Sequence, residues 1–171
     1  MLAAELPLDQ YGFAVFPLYI KPRNSPTMAY TDYKVDTGAN CTTISYEWLY
    51  TLGYGRDWIE AGKRLEGNTR PTVASGVPLE DCYQIILPEI HLGNWVGYNW
   101  PFITSLGVSF RFLLGTDSMS FFNWCFDYDK GICRFDLIPK KRSLLFNQKE
   151  QSIHSIGDSK KIGRASCRER V

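Results

Sequence analysis

The sequence predicts an all-β domain, mostly antiparallel and barrel-like, with one or two short helices. Its apolar residues fall in short runs separated by turn residues, and glycine and proline together number 23 (14 and 9). Hydrophobic residues make up 44% and aromatic residues 15% of the chain, a composition that excludes a disordered protein. A chain of 171 residues is long enough for one domain with a substantial core.

Charge and hydropathy exclude several classes of protein. The formal net charge is +1, so no basic surface for nucleic acid is expected. No apolar run approaches the ~20 residues that a membrane-spanning helix needs. The N-terminus lacks the basic region and the apolar stretch of a secretory signal, which predicts a cytoplasmic protein whose five cysteines are reduced.

The chain divides into four predicted regions. Residues 1–11 form an N-terminal segment, and residues 12–138 form the folded domain. Residues 139–160 are polar and basic and are interpreted as a tail or as a segment that docks on a dimer partner. Residues 161–171 match the in-frame translation of a sequencing adapter and are left out of the fold prediction. Without them the net charge changes from +1 to −2, since they carry four basic residues and one acidic residue.

The first half of the domain predicts two strands and a helix. Residues 12–20 are almost entirely apolar, and Pro17 within them predicts a strand at the edge of a sheet, because proline cannot donate to a neighbouring strand. Residues 29–35 predict a second strand. A helix is predicted over residues 46–52, with Ser45 as its N-terminal cap. Residues 55–69 give no clear pattern.

The second half predicts further strands and two hairpins. Residues 70–74 and 79–87 flank a glycine-containing turn and predict the first hairpin. Additional strands are predicted at residues 90–92, 95–103 and 110–114. The apolar alternation within residues 124–137 predicts the second hairpin, with Phe126 opposite Phe135, Trp124 opposite Leu137 and the turn at Lys130 and Gly131.

Two motifs carry the functional prediction. The first, Val35-Asp36-Thr37-Gly38-Ala39, follows an apolar strand and precedes Thr42-Thr43-Ile44 and a short helix. The second, Phe112-Leu113-Leu114-Gly115, comes about eighty residues later and is followed by another short helical stretch. This pair of motifs resembles the single-domain, retropepsin-like aspartic proteases, including the bacterial members, and the resemblance covers roughly residues 12–138.

The resemblance implies a barrel of the retropepsin-like acid protease type and a role for each matched residue. Asp36 is the implied catalytic carboxylate. The loop around it is supported by Thr37, Gly38, Ala39, Leu113, Leu114 and Gly115. The hairpin tip at Ala74, Ser75, Gly76 and Val77 is the implied flap, which closes over a bound peptide.

The residue types fit hydrolysis of a peptide bond without a metal or another cofactor. Two carboxylates in contact hold one proton between them, so one acts as base and the other as acid. Because Asp-Thr-Gly occurs once in the sequence, the second carboxylate is expected from another copy of the chain. The expected partners are therefore a second copy and an extended polypeptide substrate, with no nucleic acid and no membrane.

The sequence departs from the retroviral pattern at two positions. Many retroviral members carry an aspartate after the alanine and an arginine after the later glycine, which form an ion pair. Asn40 and Thr116 occupy these positions here. Because both are changed together, a different polar link is expected in place of the ion pair.

The residues also leave alternatives from other classes. A catalytically inactive, dimeric peptide-binding module on the same scaffold is the second functional hypothesis. His91 and His154 share no spacing with a cysteine that would predict a metal site. Cys41 is interpreted as a buried structural thiol rather than a nucleophile. Asp117 suits the first turn of a helix better than a catalytic role.

Overall fold

The computed structural model describes residues 2–73, 75–138 and 168–169. Within these ranges the chain has eleven strands, which are β1 Leu2–Pro7, β2 Val15–Ile20, β3 Ala29–Val35, β4 Lys63–Arg64, β5 Thr72–Val73, β6 Cys82–Leu92, β7 Trp95–Ser105, β8 Leu113–Leu114, β9 Phe122–Asp127, β10 Ile132–Leu137 and β11 Arg168–Glu169. Three short α-helices accompany them, α1 Tyr46–Thr51, α2 Arg56–Glu60 and α3 Thr116–Met119. The predicted flap residue Ala74, the segment 139–160 and His154 lie outside the described residues.

The larger sheet follows the order β4-β6-β2-β3-β8, and the long strand β7 pairs with β6 from Cys82 to Leu92, with one interruption at Pro88 and Asn99. All of these pairings are antiparallel except β3 with β8, which run parallel. The prediction of a mostly antiparallel all-β domain is confirmed. Strands were predicted at residues 79–87 and 90–92, but residues 79–81 lie outside any strand and residues 82–92 form the single strand β6. The pairing of β6 with β7 skips Pro88 and continues on both sides of it.

Strand β2 is not the edge strand that Pro17 predicted. It pairs with β3 along all six residues and with β6 over Leu18, Tyr19 and Ile20. The proline is tolerated because Val15, Phe16 and Pro17 have no partner on the β6 side, so no ladder hydrogen bond is lost there. Pro17 therefore directly precedes the residues at which β2 pairs with β6.

The smaller sheet has the order β1-β10-β9, so residues 2–7 extend the hairpin formed by the last two strands. The predicted register of that hairpin was wrong by two residues. Phe135 pairs with Trp124, and their rings stack with centroids 4.7 Å apart. The shift follows from the turn, which contains four residues, Tyr128 to Gly131, with Gly131 at a positive φ of 65°.

The two cysteines of this hairpin point to opposite faces of the sheet. Cys125 pairs with Arg134, whereas Cys133 pairs with Phe126 on the other side of the sheet. Both are free thiols.

The helices are short and positioned by local contacts. Ser45 caps α1 as predicted, since the backbone N–H of Trp48 donates to its hydroxyl at 3.2 Å. Helix α2 was not predicted, and its presence raises the number of α-helices from the expected one or two to three. Gly55 precedes α2 without a side-chain cap, and the helix buries Ile59 completely.

The main core lies between the two sheets and is rich in aromatic side chains. Its largest fully buried members are Phe16, Tyr33, Tyr54, Trp100, Phe102 and Phe135. Burial of each such side chain stabilises the fold by about 1.5–3 kcal/mol. Among the described helices, none is long and apolar enough to cross a membrane.

Candidate active site

Asp36 follows the last residue of β3, and the alternation of that strand sets its direction. Tyr33 and Val35 are buried in the core, whereas Lys34 is half-buried on the opposite face. Because side chains alternate along a strand, Asp36 continues the face of Lys34. The apolar face thus anchors the strand, and the carboxylate emerges where the strand ends.

Strand β8 is held between the two ends of the loop that begins at Asp36. On one side, the backbone N–H of Asp36 donates to the carbonyl of Leu114 at 3.0 Å. On the other side, the N–H of Thr43 donates to the carbonyl of Leu113, also at 3.0 Å. Both residues of β8 are buried. The later motif therefore passes beneath the Asp36 loop and fixes both of its ends.

Gly115 lies directly against the loop. A Cβ atom at this position would overlap the backbone of Cys41, at distances that real Cβ atoms essentially never show. The next residue, Thr116, donates its N–H to the carbonyl of Ala39 at 2.9 Å. Only glycine permits this close approach of the two backbones.

The loop also orients the carboxylate. The N–H of Gly38 donates to Oδ1 of Asp36 at 2.8 Å, and the N–H of Ala39 donates to the carbonyl of Asp36 at 3.1 Å. Within the described chain, Oδ2 of Asp36 has no hydrogen-bond partner. Asp36 is partly exposed, Thr37 is exposed and Ala39 is buried. One carboxylate oxygen is thus fixed by the protein and the other is open to a ligand.

A polar network joins the loop to helix α3. Thr42, which is fully buried, donates its hydroxyl to Oδ1 of Asp117 at 2.8 Å and its backbone N–H to Oδ2 at 3.1 Å. The Thr42 oxygen accepts the N–H of Gly115 at 3.2 Å and lies 2.6 Å from the hydroxyl of Ser118. Ser118 in turn accepts the indole N–H of Trp100 at 2.9 Å.

A different polar link was expected where Asn40 and Thr116 replace the retroviral ion pair, and this expectation stays a prediction. The backbone of both residues joins the loop to α3, and the N–H of Asp117 donates to the carbonyl of Asn40 at 3.3 Å. Asp117 itself lies in the first turn of α3, as predicted. Burial raises the pKa of the Asp117 carboxyl, and hydrogen bonds from Thr42 and Ser118 lower it in part.

A cavity of about 330 Å³ opens beside Asp36. Its apolar walls are Val15, Phe110, Phe112 and Leu113. Its charged walls are Asp32, Lys34, Arg111 and Asp36 itself. The cavity can therefore accept a side chain with an apolar stem and a polar or charged end next to the Asp36 carboxylate.

The predicted flap corresponds to a short hairpin. Thr72 pairs with Pro78, and the N–H of Gly76 donates to the carbonyl of Val73 at 2.8 Å. Gly76 has a φ of +84°, and Val77 at the tip is 58% exposed. This loop has the compact, exposed form that a flap needs, and its role in closing over a substrate stays a prediction.

Two of the remaining sequence expectations concern His91 and Cys41. His91 lies 2.7 Å from the carboxylate of Glu89, and both residues are partly exposed.

Cys41 is buried, but it is disulfide-bonded. The expectation that it is a reduced thiol was therefore wrong.

No family model and no curated protein matches the chain in sequence. Its structure is similar to the crystal structure of a retropepsin-like aspartic protease from Rickettsia conorii, with a TM-score of 0.55 and 19% sequence identity. The match covers 77% of this chain and 88% of that protein. The chain has a retropepsin-like fold. At this level of identity the similarity establishes the fold alone.

The sequence correctly predicted that the two motifs of this retropepsin-like fold lie together. It did not identify three residues that anchor the loop or line the cavity. These are Thr42, the anchor of the loop, and Lys34 and Arg111, which are walls of the cavity. Lys34 could have been found, because it precedes Asp36 by two positions in a predicted strand. Thr42 and Arg111 depend on contacts between distant parts of the chain.

Proposed function

We propose that the protein is an aspartic endopeptidase whose active site is completed by a second copy of the chain. The observation that carries this proposal is the Asp36 carboxylate, which lies at a cavity with one oxygen fixed by Gly38 and the other open. The retropepsin-like fold is consistent with it. A protein that only bound peptides would have no chemical need for an oriented carboxylate at this position.

A single chain provides one suitable carboxylate in this region. Asp32 lies four residues before Asp36 on the same strand, roughly 13 Å away at the rise of a β-strand, and is too distant to share a proton with it. Asp117 accepts hydrogen bonds from Thr42 and Ser118 and takes part in the support of the loop. The second acid is therefore supplied by Asp36 of another copy, across a two-fold axis.

The loop is suited to such an assembly. Thr37 is exposed and Asp36 is partly exposed, so both are accessible to a symmetry-related loop. In the proposed dimer, Thr37 exchanges hydrogen bonds with its symmetry mate, and the two Asp36 carboxylates come into contact above. Two carboxylates at that distance cannot both ionise, so the pair retains one proton over a wide pH range.

The proposed reaction uses this shared proton. The ionised carboxylate takes a proton from water as the water oxygen attacks the carbonyl carbon of an extended peptide, and the protonated carboxylate gives its proton to the carbonyl oxygen. The resulting diol collapses when the carboxyl group that now holds the proton gives it to the nitrogen, the C–N bond breaks, and the other carboxylate takes a proton from a diol hydroxyl. The products are a carboxylic acid and an amine, and the pair again holds one proton. The hairpin tip at Ser75, Gly76 and Val77 is proposed to cover the peptide and exclude bulk water.

Cleavage of unfolded casein at mildly acidic pH tests the proposal, with the wild type and Asp36→Asn purified in parallel. We expect fragments with the wild type and none with the variant, whose amide cannot act as a base. A circular dichroism spectrum shared by the two proteins controls for folding. Equal digestion by both would exclude Asp36 as the catalytic group.

A further inference from the structure

Lys34 is the charged residue closest to Asp36 along β3 on the same face. Tyr33 and Val35 are buried, so Asp32, Lys34 and Asp36 share the face that borders the cavity. A strand rises about 3.3 Å per residue, which separates Lys34 from Asp36 by roughly 7 Å along the strand and Asp32 by roughly 13 Å. A ligand side chain that enters the cavity from Asp36 meets the lysine first.

The ammonium group of Lys34 is held in place by an aromatic ring. Its Nζ atom lies 3.6 Å from the ring centroid of Phe13, a cation–π contact. In the part of the chain that the structure describes, Lys34 forms no ion pair. The contact with Phe13 limits the rotamers of a long side chain and leaves its charge available to a ligand.

The other walls of the cavity suit a ligand side chain that has an apolar stem and a charged end. The apolar side chains of Phe112 and Leu113 can pack against the methylene groups of a ligand. Arg111 adds a second positive charge to the cavity wall and already takes part in another interaction. Asp32 is the opposing charge, but it is exposed and lies farther from Asp36 than Lys34 does.

We infer that Lys34 determines specificity and makes the protein prefer peptides with a glutamate or aspartate beside the scissile bond. The inference rests on the proposed peptidase function and adds to it a class of substrate. The substrate carboxylate binds the Lys34 ammonium, while its methylene groups lie against the apolar walls. Because the proposed dimer is two-fold symmetric, one such cavity exists on each side of the scissile bond.

Cleavage of internally quenched peptides that differ only in the residue next to the scissile bond, as Glu, Gln or Lys, tests the inference. For the wild type we expect kcat/KM to be about tenfold higher for Glu than for Gln, which corresponds to about 1.4 kcal/mol. The ratio should fall as salt is added, because the ion pair is only half-buried. In Lys34→Gln the ratio should approach one, and in Lys34→Glu the Lys peptide should become the best of the three.

The control variant is Lys130→Gln, which removes the same charge from an exposed hairpin turn at a residue that does not line the cavity. It should retain the Glu preference of the wild type. A wild type that cleaves the Glu and Gln peptides equally would overturn the inference. So would an equal loss for all three peptides in Lys34→Gln, because Lys34 would then act on the Asp36 pair rather than on the substrate.

A binding measurement separates this inference from the proposed function. The same three peptides, with the scissile amide replaced by a non-cleavable hydroxyethylene group, are titrated calorimetrically into the protein. Failure to cleave any peptide would contradict the peptidase proposal, whereas the three dissociation constants would still report on Lys34. Equal dissociation constants for Glu and Gln, unchanged in Lys34→Gln, would overturn the inference.

Discussion

Thr42 donates its hydroxyl to Asp117 at 2.8 Å and thereby ties the loop that carries Asp36 to helix α3. The Trp100 indole donates to the Ser118 hydroxyl, which lies 2.6 Å from the Thr42 hydroxyl. Asp117 also accepts the backbone N–H groups of Thr42 and Ser118. The loop that carries the candidate catalytic residue is thus tied to a side chain that lies 75 positions after Thr42 in the chain.

Loss of the Thr42 hydroxyl should loosen the loop. In Thr42→Val the shape is nearly kept, but the N–H of Gly115 loses its acceptor and Asp117 loses a donor. Buried groups without partners cost about 1–3 kcal/mol each, so we expect the free energy of unfolding to fall by about 2–3 kcal/mol. Urea denaturation measures this change.

Thr42→Ser is the matched control, because it keeps the hydroxyl and removes one methyl group. We expect it to cost no more than about 1 kcal/mol. If the valine variant were as stable as the serine variant, the network would have no role in holding the loop.

Protonation of Asp117 should contribute to the pH dependence of the free energy of unfolding. Burial raises the pKa of this carboxyl above its ordinary value near 3.8, so the folded protein binds the proton more tightly than the unfolded chain does. The contribution of Asp117 to stability is therefore greatest in acid and decreases as the pH rises from about 3.8 through the raised value.

Comparison with Asp117→Asn isolates this contribution, because the other titrating groups are shared. Urea denaturation of both proteins from about pH 3.5 to about pH 7, at one protein concentration, gives the difference in unfolding free energy. The advantage of the wild type should shrink as the pH rises through this interval and then stay constant. An advantage that grew with pH would mean that the pKa is lowered in the folded state.

Gly115→Ala should be strongly destabilising, because the added methyl group would overlap the backbone of Cys41. Backbone cannot move aside as a side chain can, so we expect a loss of about 3 kcal/mol or more in unfolding free energy. Gly107→Ala is the control, since its Cβ would make ordinary contacts at 3.6 Å in an exposed loop. A comparable loss in both variants would mean that the close approach at Gly115 is not the cause.

Gly76→Ala tests the proposed flap. Gly76 has a φ of +84° at an exposed tip, and a left-handed conformation costs an alanine about 1–2 kcal/mol. We expect kcat/KM to fall about fivefold or more, with little change in global stability. Gly67→Ala is matched to it, because Gly67 also has a positive φ, 58°, and open space around it. Equal activity in the two variants would argue against a role for this hairpin.

Features fixed by local sequence could be predicted correctly. The Ser45 cap involves a residue only three positions away, and the place of Asp117 in the first turn of α3 follows from the residues next to it. The pairing of the two motifs was also predicted, from the family resemblance rather than from local pattern. The resulting contact between Asp36 and Leu114 is long-range, and a single sequence offers no local reason for it.

Features set by packing between distant segments could not be predicted. The register of the last hairpin follows from the stacking of Trp124 on Phe135 and from a four-residue turn, both compatible with the same alternation of apolar residues. Pro17 predicted an edge strand, whereas β2 pairs on both sides and lacks its second partner only over its first half. Helix α2 begins directly after Gly55, which provides no side-chain cap, so the sequence contains no capping signal for the start of this helix.

An active site shared between two copies is the central feature of the proposed function, and mixing of subunits tests it most directly. Wild type and Asp36→Asn are equilibrated at concentrations where the protein is dimeric, and casein cleavage is measured per wild-type subunit. For a site that needs one Asp36 from each copy, the activity should fall in proportion to the wild-type fraction, to about one tenth at a ratio of one to nine. Activity that stayed constant as the variant was added would show that one chain is sufficient, and would contradict the account.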